Sequence, residues 1–221
     1  MGQNSELERY ITNHINEESD TLKELYRYTH INILRARMLS GHIQGQLLKM
    51  MCRMINPASI LEIGTFTGYS AISMAEGLTD KSAHIDTIEI NDELKPVIEK
   101  FINKAQFEDK ISLHFGDARE IIPTIDKKFD LVFIDGDKRQ YPEYYNLVFP
   151  LINDGGYIIA DNILWNGKVL DPITNSDDYT KGVIEFNEIV KGDERVERVI
   201  IPFRDGLFLI RKASTLRGQS D

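Results

Sequence analysis

One cysteine, Cys52, stands in 221 residues, so no internal disulfide can form. That suits a reducing compartment, and the chain is expected to be cytoplasmic. No apolar run approaches the roughly 20 residues that a membrane helix needs. The N-terminus, MGQNSELERYITNHINEESD, lacks a basic stretch followed by an apolar one, so no secretory signal is expected. Glu6 occupies the position where a myristoylation pattern needs Ser or Thr. Positive charge is short as well: 26 Lys and Arg against 35 Asp and Glu leave a net charge of −9. Such a surface argues against binding nucleic acid, which needs cations to displace counterions, and against docking on anionic lipid. The five histidines, His14, His30, His42, His84 and His114, show no ligand spacing.

With 42% hydrophobic residues, the composition supports a packed core. Leu7, Ile11 and Ile15 recur at helical spacing, as do Leu22, Leu25 and Tyr26, and LLKMMCRMI stops at Asn56-Pro57. Residues 1–57 therefore form a helical cap. From Ser59 the pattern alternates. SILEI, HIDTIEI, ISLHF, FDLVFID and GYIIADN read as short strands, with helical stretches among them. This predicts a Rossmann-like α/β fold, a mostly parallel sheet with helices on both faces. RVERVIIPF and DGLFLIRK lie too close for a crossover and must pair antiparallel, as a hairpin at one side of the sheet. No repeat or linker appears, so 1–221 is expected to be one domain: a cap (1–57), an α/β core (58–212) and a flexible tail (213–221).

Ligands of open α/β sheets bind at the carboxyl ends of the strands. The first strand runs into LEIGTFTGYS, where Gly64 and Gly68 bracket a turn into a helix. GTFTG is not GxGxxG and lacks the third glycine of a pyrophosphate cradle. Glu62 would repel a diphosphate but suit a sulfonium or ammonium group. Glu89 ends the second strand about 20 residues past the loop, where an acid can bind both ribose hydroxyls. Together these favour S-adenosylmethionine over a dinucleotide, although each glycine alone could serve packing only. At the third strand end, Asp117 can accept from an adenine amine and Ala118 can meet a ring nitrogen through its backbone. Asp117 can equally cap the helix that follows.

Asp135 ends the fourth strand, and Asp161 and Asn162 end the fifth. Two carboxylates and an amide oxygen are an all-oxygen set suited to a hard cation such as Mg²⁺, with Mn²⁺ or Ca²⁺ as alternatives. Lys138 follows Asp135 by one turn. Two positive neighbours, a metal ion and a sulfonium, would favour its neutral form and let it remove a phenolic proton. The competing reading is a surface lysine paired with Asp137 or Glu143. Tyr141, Tyr144 and Tyr145 can line an acceptor pocket or simply pack.

RMLSGHIQGQLL, LEIGTFTGYSA, IEIND, GDA, FIDGDKRQYPEYY, ADNILWNGKV and IPFRDGLFLIRK run from Arg37 to Lys212. On these motifs the chain resembles the class I, cation-dependent O-methyltransferases, similar to the catechol and caffeoyl-coenzyme-A enzymes and to their small bacterial members. The resemblance implies a seven-stranded sheet with an antiparallel last strand. It implies that Ser40, Glu62, Gly64 and Ser70 surround the methionine part of the cofactor, with Asp135 also at the cofactor. Glu89 would hold the ribose and Ala118 the adenine. Asp135, Asp161 and Asn162 would hold the metal, Lys138 would be the base, and Trp165 would line the substrate pocket. It also implies a homodimer, with residues 1–57 and 163–180 as the contact.

The expected reaction is methyl transfer to a small phenolic acceptor with two adjacent hydroxyls, which the metal chelates. The acidic loop KVLDPITNSDDY is a poor match for a coenzyme-A tail. The alternatives are a nicotinamide-dependent reductase, a module that only senses the cofactor, and methyl transfer without a metal.

Overall fold

The computed structural model describes residues 5–173 and 177–214. Of the expected tail, only Ala213 and Ser214 are among them. The chain divides into two compact units. The first comprises Met1–Ala58 and Thr65–Gly116, the second Ser59–Gly64 and Asp117–Asp221.

The first unit holds α1 (Ser5–His14), α2 (Asp20–Asn32), α3 (Gly41–Ile55), α4 (Tyr69–Gly77), β2 (His84–Glu89), α5 (Lys95–Lys104) and β3 (Ile111–Phe115). The expected helical cap is therefore present. Ser19 caps α2, its side chain accepting from the Leu22 N–H at 3.3 Å, and the helix buries Leu22, Leu25 and Thr29. α3 stops where Asn56 takes a left-handed backbone, one residue before Pro57. β2 and β3 pair in parallel from Ile85↔Ile111 to Glu89↔Phe115.

The second unit holds β1 (Ser59–Ile63), α6 (Ala118–Ile121), β4 (Phe129–Ile134), α7 (Tyr141–Val148), β5 (Ile152–Asp161), α8 (Asp178–Gly192), β6 (Val196–Ile201) and β7 (Leu207–Lys212). Its strand order is β1-β4-β5-β7-β6. β1, β4 and β5 run parallel, and β7 is antiparallel to both β5 and β6. With β2 and β3 the chain has seven strands, parallel and antiparallel, interleaved with helices, the Rossmann-like α/β class that the alternating pattern predicts. β1 and β4 are buried at successive positions, so both of their faces are covered. β6 exposes four residues in a row, as befits an edge.

One boundary differs from expectation. β5 begins at Ile152, not at Gly156. Asn153, Asp154 and Gly155 look like a turn in sequence. Here Asn153 is held by Asp130 at 2.7 Å, and the strand register shifts between Phe129 and Leu131. The irregularity absorbs the turn-forming residues without ending the strand.

Phe186 of α8 anchors this unit. It is fully buried, with its ring 5.4 Å from Tyr141, 5.9 Å from Tyr145 and 6.1 Å from Phe208, all edge-on. Phe186→Ala should lower the unfolding free energy by ~3–5 kcal/mol through the cavity it leaves. Urea denaturation measures this, and a loss under ~1 kcal/mol would mean that the three rings collapse onto the gap.

Candidate active site

In the first unit the loop Thr65–Gly68 is tethered by alternate side chains. Thr65 shares a hydrogen bond with Thr87 of β2 at 2.5 Å. Thr67 accepts from Thr29 of α2 at 3.1 Å, both buried, and the Tyr69 hydroxyl donates to Glu18 at 2.8 Å. These three bonds fix the loop's backbone course. Glu89, at the end of β2, accepts from the Phe66 N–H at 2.7 Å and from the Asn91 N–H at 2.9 Å, one on each oxygen. Burial pushes its carboxyl up, while the backbone donors pull it down. Ile90, next in the chain, is 70% exposed, unusual for an isoleucine beside a buried acid. Ser70 is buried in the first turn of α4, and Ser40 is half-buried at the start of α3.

The second unit supplies the other predicted residues. Glu62 is fully buried in β1. Gly64 has φ +99°, and a Cβ there would lie 2.5 Å from the Asp135 carbonyl oxygen, so no other residue fits. Asp117 does cap α6, accepting from the Arg119 N–H at 2.9 Å, and it also pairs with the Arg119 guanidinium at 2.6 Å. That pairing holds its carboxyl below the usual range. Ala118 is buried.

Asp135, Lys138 and Asp161 come together at the ends of β4 and β5. Register places Ile134 opposite Ala160, so the two acids follow a paired position. Lys138 is buried, contrary to the surface reading. Its ammonium donates to Asp135 Oδ1 at 2.7 Å and to the Tyr141 hydroxyl at 2.7 Å. Asp137 instead pairs with Arg139, and Glu143 with Arg119. Burial pushes the Asp135 carboxyl up to about 6, against the pull of Lys138 and with the added push of the Asp161 charge. Asp161 Oδ1 accepts from the Asn162 N–H at 2.7 Å.

Beyond Asp161 the backbone turns sharply, with Asn162, Trp165 and Asn166 all left-handed. The β6–β7 turn holds this loop: Leu164 N–H donates to the Asp205 carbonyl at 2.9 Å, and Ile163 N–H to that of Gly206 at 3.2 Å. Trp165 stacks on Tyr179 of α8, ring centres 6.2 Å apart and 16° from parallel.

A family model described as O-methyltransferase matches residues 12–213. The chain belongs to the O-methyltransferase family. A caffeoyl-CoA O-methyltransferase of Stellaria longipes is 32% identical over 95% of this chain and 91% of its own. The O-methyltransferase TomG from Streptomyces achromogenes, solved in complex with SAM, superimposes with a TM-score of 0.90 at 28% identity, covering 97% of this chain and all of its own. The O-methyltransferase from Bacillus cereus in complex with SAH does so at 0.88 and 26%, covering 93% and 96%.

Two residues of this methyltransferase take places that the sequence motifs leave open. Tyr141 was placed between lining and packing, yet its hydroxyl touches Lys138. The spacing Lys-x-x-Tyr, one helical turn, was the available signal. Ile90 was passed over as part of a strand. Among the described residues, no group of three or more His, Cys, Asp or Glu is placed to hold a metal. The expected donor set is of another kind, two carboxylates and an amide.

The folded chain keeps the Asp135 proton up to about pH 6, whereas the unfolded chain releases it near 3.8. Between those values the folded state binds more protons, so this group makes stability fall as pH rises. Asp161→Asn removes the neighbouring charge. Without added cation it should be more stable than the parent at pH 7 by on the order of 1 kcal/mol, with the gain shrinking below about pH 6 as Asp135 protonates. Urea unfolding at pH 5 and pH 7 reads both terms. A variant less stable at both would show that repulsion between the two acids is negligible.

Proposed function

We propose that this methyltransferase transfers the methyl group of S-adenosylmethionine to one of two adjacent hydroxyls of a small catechol-like acceptor, assisted by a divalent cation. We place it in the cytoplasm as a homodimer. The buried Lys138, set between Asp135 and Tyr141 with Asp161 beside them, carries the reading. The bound SAM and SAH named for the TomG and Bacillus cereus structures support the donor.

The roles follow from chemistry. Glu89 offers two acceptor oxygens to ribose hydroxyls, and the exposed Ile90 offers an apolar surface to the base beside them. Asp117 and Ala118 take the adenine edge. By the family resemblance Ser40, Glu62, Gly64 and Ser70 are the residues proposed for the methionine portion, and a Glu62 carboxylate suits the positive sulfonium and ammonium groups.

Asp135, Asp161 and Asn162 fit a hard cation. All three offer oxygen, and the cost of the two clustered carboxylates, seen in the raised Asp135 pKa, is relieved by positive charge. Mg²⁺ held there, or Mn²⁺ or Ca²⁺ in its place, would supply Lewis acidity and a template for two acceptor oxygens. Lys138 has two of its three Nζ directions committed, to Asp135 and Tyr141. The third would take an acceptor hydroxyl. Lys138 would take the phenolic proton as the acceptor oxygen displaces S-adenosylhomocysteine from the methyl carbon. Trp165, backed by Tyr179, offers a flat wall to an aromatic ring.

A small acceptor suits the site better than a coenzyme-A thioester. Lys168, a cation in the loop after Trp165, is already paired with Asp177 at 2.9 Å. That leaves less positive charge for a polyphosphate tail.

The test is methyl transfer from S-adenosylmethionine to catechol with Mg²⁺, then with excess chelator, then with Asp161→Asn. Turnover should fall at least ~100-fold in both of the latter. Turnover indifferent to chelator would remove the metal from the reading. Turnover of caffeoyl-CoA without turnover of catechol would move the acceptor to the thioester class.

A further inference from the structure

The Tyr141 hydroxyl makes three contacts in a fully buried position. It receives the Lys138 ammonium at 2.7 Å and lies 3.0 Å from each of two backbone carbonyls, those of Ile134 and Asp161. A phenol has one proton and two lone pairs. Its proton is shared by the two carbonyls, and a lone pair faces Nζ. The oxygen therefore fastens the end of β4 to the end of β5 and presents a fixed acceptor to the lysine. The ring is independently held by Phe186, 5.4 Å away and nearly perpendicular.

Nothing else in the described contacts of Lys138 fixes the direction of its head. Asp135 Oδ1 supplies one anchor, and one anchor leaves a tetrahedral nitrogen free to swing about the N···O line. A second anchor removes that freedom.

We propose that Tyr141 is a positioning residue: its hydroxyl aims the third Nζ direction of Lys138, and thereby selects which of two adjacent acceptor hydroxyls loses its proton. The proposal rests on the reading of this cluster as the acceptor site. Lys138 remains the proton acceptor, and Tyr141 acts through it without touching substrate.

The experiment compares the full-length parent with Tyr141→Phe, which keeps the ring against Phe186 and deletes only the oxygen. Tyr141→Met, also without the hydroxyl, stands in if the phenylalanine variant does not fold. Crystal structures of the two proteins read the aim directly, without any activity. Nζ of Lys138 is expected to move away from its parent position, and an unmoved Nζ overturns the proposal. Kinetics with 3,4-dihydroxybenzoate then read the consequence. We expect kcat to fall about 10- to 100-fold, the cost of misplacing a reacting group by ~1 Å, with KM for S-adenosylmethionine unchanged. The ratio of the two monomethyl products should shift towards equality. A simple loss of folded protein would lower the rate without moving that ratio. A displaced Nζ with an unchanged rate and ratio also overturns the proposal. A parent enzyme that methylates no catechol would sink the acceptor reading instead, while the structural comparison would still decide where Tyr141 holds the lysine.

Discussion

Two carboxylates at neighbouring strand ends, Asp161 buried and Asp135 half-buried, are the constraint on which the second unit is organised. Neither Asp135 nor Asp161 can move away, because parallel pairing of β4 and β5 fixes both backbones. Their repulsion and their loss of water are answered in part by the buried Lys138 ammonium and by the charge of Arg204. A sequence optimised for stability alone would not keep this arrangement. Retaining it is a cost borne at the site and offset elsewhere, here by a core that buries Phe133, Ile134, Ile158 and Ile159 behind the same strand ends.

The first unit solves a different problem. A loop that approaches a ligand closely needs a defined backbone with little side-chain bulk on the ligand side. Thr65, Thr67 and Tyr69 send their hydroxyls to three separate elements, β2, α2 and the α1–α2 connection. Phe66, between the first two, turns its N–H to Glu89. The loop is thus held from behind by side chains, while its amide reinforces the acid at the end of β2. Deleting the Thr67 hydroxyl would remove the acceptor to which buried Thr29 donates, a larger penalty than the bond itself is worth.

Much of this was legible in the sequence because strands and their ends have strong local signatures. SILEI, ISLHF and FDLVFI are apolar runs of strand length, and the acids stand where those runs stop. The antiparallel ending followed from the short gap around Arg204 and Asp205, since no crossover fits there. The start of β5 was not legible. Asn153, Asp154 and Gly155 have turn chemistry, and only pairing with β4 and the Asn153–Asp130 bond override it. Local propensity lost to tertiary context, as it commonly does in strands.

The burial of Lys138 marks the deeper limit. Sequence offered Asp137 and Glu143 as its partners, both near in the chain and both chemically suitable. The outcome turned on direction. Asp137 caps the short helical turn that begins at Lys138, accepting from the Arg139 N–H at 3.0 Å, and its oxygens are then taken by the Arg139 guanidinium. Glu143 is drawn to Arg119. With the two arginines satisfying the other acids, Lys138 is left to Asp135 and the buried Tyr141. What sets the lysine's place is therefore the competition among its neighbours, and that competition becomes visible only once the chain is folded.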